Sequence, residues 1–154
     1  MDETKSFNNI PALLKALPQI FDLASETAGA YYAGKVVERI VEQDPSWTPK
    51  SPATLKAEGP GKTKLWVNTG DLRTEIHTKK PDNESKAGEY VMQVGVFSGS
   101  RVIAAACLEY GSDTRDPPVP ARPLFGPVFD REVDKIASMQ KKVIDQQIRK
   151  YVFR

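Results

Sequence analysis

Cysteine, histidine and long apolar runs are all scarce in this chain of 154 residues. A single cysteine, Cys107, excludes an intrachain disulfide framework and gives no sign of an oxidising compartment. A single histidine, His77, leaves neither a histidine-rich metal centre nor a catalytic triad to build. No apolar run approaches the roughly 18 residues that span a membrane. The start of the chain, Asp2, Glu3 and Lys5 ahead of Phe7, lacks the charged-then-apolar order of a secretory leader. A soluble protein made in a reducing cytoplasm is expected. Charge of one sign is missing too: 22 basic against 20 acidic residues leave a net +2, too little by itself to point to nucleic acid.

What is present reads as an ordinary folded chain. The apolar and charged fractions, 40% and 27%, argue against wholesale disorder, and the length suits one domain over residues 1–154. Of twelve prolines, nine cluster between residues 45 and 60 and between 117 and 127, so long proline-rich loops are expected at about 44–64 and 111–126.

Helical periodicity dominates both ends. Asn8 or Asn9 can cap a first helix with Pro11 in its opening turn, and Pro18 either kinks that helix or starts another. From Ile20, the residues Leu23, Ala24, Thr27, Tyr31, Gly34, Val37, Ile40 and Val41 share a face, and the helix should end near Gln43. Ala28, Gly29, Ala30, Ala33 and Gly34 keep part of it thin, which suits either close approach of another helix or plain core packing. Ser51-Pro52 should open a short helical turn to Ala57. Thr69 can cap a turn that stacks Leu72 on Ile76. A strand can form within 74–79, and after a turn at Pro81-Asp82-Asn83-Glu84 the alternation over 89–97 is the clearest strand signal. Ser98-Gly99-Ser100 reads as a turn, Val102 to Tyr110 as a short helix ended by Gly111, and Ser112 to Pro118 as a polar loop. Pro127 to about Tyr151 forms the longest helix, with Val133, Ile136, Ala137, Gln140, Ile144, Ile148, Tyr151 and Val152 on one stripe. The expected class is α+β: two long helices packed on a small, mostly antiparallel sheet.

Signals for chemistry are weak. Gly61-Lys62-Thr63 lacks the glycine a phosphate loop needs five residues earlier, where Lys56 stands. Cys107 lies between Ala106 and Leu108 and reads as a buried, inert thiol, and no third group supports a Cys107–His77 pair. Asp113, Asp116 and Asp130 fit no calcium-loop spacing. Neither a catalytic residue, a cofactor site nor a metal site is assigned. Glu109 is less ordinary, because an acid in the last turn of a helix opposes the dipole, and Arg122 between its prolines is the candidate partner. Trp47 and Trp66 suit loop anchoring or a subunit contact. The last helix carries Lys135, Lys141, Lys142, Arg149, Lys150 and Arg154 beyond the acids Asp130, Glu132 and Asp134, an order that complements its dipole. That basic end also allows an alternative reading as a nucleic-acid-binding module.

Four stretches, taken in order, resemble the virion morphogenesis, tail-completion and neck proteins of tailed bacteriophages. They are Trp47-Thr48-Pro49-Lys50-Ser51-Pro52-Ala53-Thr54, Leu65-Trp66-Val67-Asn68-Thr69-Gly70-Asp71-Leu72-Arg73, Ala104-Ala105-Ala106-Cys107-Leu108-Glu109-Tyr110-Gly111 and Val119-Pro120-Ala121-Arg122-Pro123-Leu124. The likeness covers residues 47 to about 150. The chain departs from it at Arg101-Val102-Ile103-Ala104, where the family often carries Tyr-Ala. The resemblance implies a late, non-enzymatic virion protein at the head–tail junction or tail top, made in the host cytoplasm. It would assemble as a ring, beside connector or tail-tube proteins and near packaged DNA in the channel, with no membrane involved. Interface candidates are Trp47, Trp66, Arg73, Glu109, Tyr110 and Arg122. Segments 44–64 and 111–126 are too long for idle connectors and are expected to dock on neighbours, ordering on assembly. Deleting residues 112–118 should then leave a folded monomer that fails to assemble.

Overall fold

A computed structural model of the chain describes residues 9–59, 61–67, 71–81, 89–116 and 118–152. The architecture is helix-rich α+β. In chain order it runs α1 (Ile10–Glu42), α2 (Pro52–Glu58), α3 (Asp71–Thr74), β1 (Ile76–Lys79), β2 (Gln93–Val96), α4 (Gly99–Tyr110) and α5 (Phe125–Val152). The two strands pair as a small antiparallel sheet.

Several boundaries differ from the sequence-based expectation, each for a local reason. α1 runs through Pro18 without a break, so no second helix begins there. The strand expected over 89–97 shrinks to Gln93–Val96, because its partner β1 is only four residues long. Ser98-Gly99-Ser100 is a helix start rather than a turn. The Ser98 hydroxyl donates to Glu75 at 2.9 Å, and Gly99 takes φ +58° as the first residue of α4. The short helix in the first proline cluster forms as expected: Ser51 accepts from the Thr54 N–H at 3.1 Å and Pro52 takes the first helical position. The proposed Thr69 cap and the Asp82-Asn83-Glu84 turn lie outside the described residues.

Packing divides the chain into two compact units. Among the described residues the first comprises 9–31, 78–81, 89–93 and 132–152. Here α1 and α5 run antiparallel: the Asn9 side chain donates to the Tyr151 carbonyl at 3.2 Å, and Tyr31 donates to the buried Glu132 carboxylate at 2.7 Å. Ile20, Ala24, Ser25 and Ala28 are buried at four-residue or adjacent spacing. Ser25 donates to the Tyr90 carbonyl at 3.0 Å, and Phe21 packs on Tyr90 with ring centroids 5.1 Å apart. Gly29 is where α1 needs a missing side chain, since a Cβ there would lie 2.6 Å from Met92 Cγ and 3.3 Å from Thr78 Cγ2. At Gly29 the thin face of α1 receives Thr78 of β1 and Met92 just ahead of β2, while a Cβ at Gly34 would meet nothing within 4 Å. The α5 stripe is half-buried from Ile136 to Tyr151, but Val133 and Ala137 are exposed, against expectation.

The second unit comprises residues 32–59, 61–67, 71–77, 94–116 and 118–131. Its core is Val36, Ile40, Trp47, Leu65, Trp66, Leu72, Ile76, Ala105, Leu124 and Val128. Leu72 and Ile76 do share this core, as their spacing predicts. Leu124 and Val128, one helical turn apart, are almost wholly buried, so the start of α5 is fixed from inside.

Candidate functional site

The residues singled out from the sequence converge in the second unit, where two proline-rich segments meet the ends of α4 and α5. The junction is built from backbone groups that need partners. α5 begins at Phe125, with Leu124 before it accepting the Val128 N–H at 3.2 Å. A helix start leaves its first N–H groups without intrahelical acceptors, and leucine has no side-chain oxygen to supply one. Glu109 does so from fifteen residues away. Its carboxylate accepts from the N–H groups of Leu124 at 2.7 Å, Phe125 at 3.2 Å and Gly126 at 3.4 Å. Pro127 has no N–H, so the first turn is accounted for, and a negative charge at a helix N-terminus is favourable. This also explains why α5 starts two residues before Pro127.

The partner expected for Glu109 was Arg122, and the structure corrects that. Arg122 is 5% exposed and its guanidinium donates to the carbonyls of Thr48 at 2.7 Å and Pro49 at 3.2 Å. Those carbonyls belong to a proline-framed stretch with no ladder of its own. The α5 N-terminus already answers Glu109, which leaves Arg122 free to turn the other way. Burial pulls the guanidinium below its ordinary pKa without discharging it at neutral pH. The Arg122 backbone is fastened as well: its N–H donates to Leu108 O at 2.6 Å, and its carbonyl accepts from Trp66 Nε1 at 3.1 Å.

Both tryptophans are anchors within the chain, the first of the two roles their position suggested. Trp47 and Trp66 are 5% and 2% exposed. Trp47 Nε1 donates to Pro123 O at 2.9 Å, the next carbonyl along from the one Trp66 takes. Their rings lie 6.5 Å apart, and Trp66 meets Phe125 edge-on at 6.1 Å. Tyr32 donates to Phe125 O at 2.7 Å, and burial, then the charges of Glu109 and Asp130, push its phenol up to about 12. Gly111 ends α4 with φ +81° and lies so near the 119–121 backbone that a Cβ would stand 3.0 Å from Ala121 N. An antiparallel bridge between Ser112 and Val119 closes the intervening loop.

One contributor escaped the sequence reading. Gln43, in the left-handed region at φ +58°, uses its side-chain amide as a strand would use a backbone. Its Nε2 donates to Leu65 O at 3.0 Å and its Oε1 accepts from Leu65 N at 2.7 Å. That pairing sets Trp66, itself at φ +60°, into the core. The only signal for it was an amide at the expected end of α1.

Arg73 and Tyr110 remain on the surface, Tyr110 at 83% exposure. Beside the junction lies a cavity of about 800 Å³, walled by α2 and residues 48–51 on one side and by α4 and residues 115, 116 and 118–120 on another. Cys107 is half-buried in its wall rather than in the core. His77 is exposed, 3.8 Å from Glu75. Lys62 and Thr63 are exposed, and residues 64–67 after them are not helical, as a phosphate loop would require. Among the described residues no group of three acidic, histidine or cysteine side chains is placed to hold a metal, and no buried side-chain nitrogen or oxygen lacks a partner. No family model, no curated protein and no solved structure matches the chain.

Proposed function

We propose that the chain is a non-enzymatic structural protein of a tailed-phage particle, a tail-completion, terminator or neck component at the head–tail junction that assembles as a ring. One observation supports this reading most. The four stretches that resemble that family, spread over residues 47–124, meet in one hydrogen-bonded junction. Residues that make one joint in space form a more specific signature than four separate turns. Their polar atoms are engaged with backbone groups: Arg122 with two carbonyls, Glu109 with three N–H groups, each tryptophan with one carbonyl. Such an arrangement shapes a scaffold. With Trp47, Trp66 and Arg122 turned inward, contact with neighbours falls to exposed groups such as Arg73 and Tyr110.

The test is immunoblotting and gold labelling of purified particles from a lysate of cells carrying the phage or prophage. Label at the head–tail junction is expected. Complete, joined particles that lack the protein would contradict the proposal. A second reading, nucleic-acid binding, draws on one feature: Lys141, Lys142, Arg149 and Lys150 are exposed on α5. It predicts affinity for free DNA that falls steeply with salt. Binding that is weak at low salt would remove it.

A further inference from the structure

The chain between Pro49 and Leu65 is built unlike the junction on either side of it. Both of its ends are fastened: Arg122 holds the Thr48 and Pro49 carbonyls ahead of it, and the Gln43 amide pairs with Leu65 after it. What lies between, residues 50–59 and 61–64, makes no such tie. Among the described residues, every hydrogen bond and ion pair of this stretch stays inside it. α2 buries no residue, and none of the stretch's apolar side chains belongs to the hydrophobic core or packs against it.

The internal bonds meet at one residue. Lys50, its side chain 9% exposed, donates to the Glu58 carboxylate at 2.5 Å and to the Lys62 carbonyl at 2.9 Å. Because Lys50 follows the clamped Pro49, this staple ties the end of α2 and the chain beyond it to a fixed point. Gly59 and Gly61, at φ +97° and +88°, turn the chain between the two acceptors. The same stretch walls the cavity of about 800 Å³ through Lys50, Ser51, Pro52, Thr54 and Glu58, and Cys107 of α4 lies in that wall too.

We propose that residues 50–59 and 61–64 are a lid on this cavity, moving between two clamped ends while the core stays folded, with the Lys50 staple holding it shut. A segment with few buried apolar contacts opens locally at a free energy well below that of global unfolding, and lids are drawn from such segments. The clamps at Thr48, Pro49 and Leu65 confine the motion, so Trp47 and Trp66 keep their places when the lid opens. Loss of the staple shifts the lid toward open and leaves the joint intact.

Cys107 is the single thiol of the chain, so it can report access to the cavity. The full chain, unaltered and as Glu58→Gln and Lys50→Met, is followed by amide hydrogen exchange and by reaction with N-ethylmaleimide. In the unaltered chain the N–H groups of Leu55 and Gly59 should exchange about a hundredfold faster, or more, than those of Leu65 and Val128. Each variant should speed exchange at Leu55 and Gly59, and thiol reaction, by about threefold or more, with Leu65, Val128 and the urea midpoint unchanged. Equal protection at all four amides in the unaltered chain overturns the lid, because the stretch would then open only with the core. Faster exchange with unchanged thiol reaction also overturns it, because the motion would not open the cavity. A variant that loses its helical circular dichroism overturns it as well, since the stretch would then be part of what holds the core.

Discussion

Each of the two compact units is built on its own internal chemistry. In the first, the packing rests on small and half-buried residues: Ala24 and Ala28 on α1, Gly29 against Met92 and Thr78, and the Ile136 to Tyr151 stripe on α5. In the second, two tryptophans, a buried arginine and a capping glutamate fix backbone groups one by one. Apolar stripes tolerate substitution wherever volume is kept. A buried polar group is intolerant, because losing one partner leaves the other unsatisfied. Substitutions in the junction should therefore cost more, per atom changed, than substitutions along the helix pair.

The largest effect should come from Arg122→Met. It keeps much of the side-chain volume but leaves the Thr48 and Pro49 carbonyls without donors, a loss of about 3 kcal/mol in a urea titration. A loss below about 1 kcal/mol would put the junction on the same footing as the helix pair. Gly29→Val is the counterpart in the first unit, with an expected cost of about 2 kcal/mol from overpacking against Met92. Met92→Ala in the same chain should recover part of it, and no recovery would mean that contact is not the cause. Glu109→Ala should cost about 1.5 kcal/mol by uncapping α5, and Glu109→Gln less, since an acceptor oxygen remains.

The smallest effect is a pH dependence. Tyr32 titrates at about 12 in the folded chain, against about 10 for an unperturbed phenol. A raised folded pKa means its contribution is complete below pH 10 and is lost as pH rises from about 10 to about 12. Absorbance titration near 295 nm should show a late-titrating phenol that disappears in Tyr32→Phe. In Glu109→Gln that phenol should titrate earlier, because one of the charges opposing its ionisation is gone.

Much of the fold was legible because it depends on local rules. The long helices follow from apolar spacing, the Ser51-Pro52 start from its cap, and the end of α4 from Gly111. What could not be read depends on partners distant in sequence. The strand expected over 89–97 was cut short by the length of β1. Glu109 was recognisable as an acid in need of compensation, but its partner was a set of N–H groups fifteen residues on, and charge alone pointed to Arg122 instead. Trp47 and Trp66 were visible as anchors or contacts, and only three-dimensional packing turned them inward. Gln43 mimicking a strand left no more signal than an amide at the expected end of α1.

The central claim is that Trp47, Thr48, Trp66, Glu109 and residues 122–126 form one joint rather than several independent turns, and a double-mutant cycle tests it most directly. Arg122→Met and Glu109→Gln would be made singly and together, and unfolding free energies measured in urea. Arg122 and Glu109 do not touch in the described contacts, but each fastens the same short segment, residues 122–126, at a different point. Once either is lost the segment should loosen, so the second substitution should cost about 1 kcal/mol less in the double variant than alone. Costs that add to within about 0.3 kcal/mol would contradict the account, leaving two unrelated caps where a single joint is claimed.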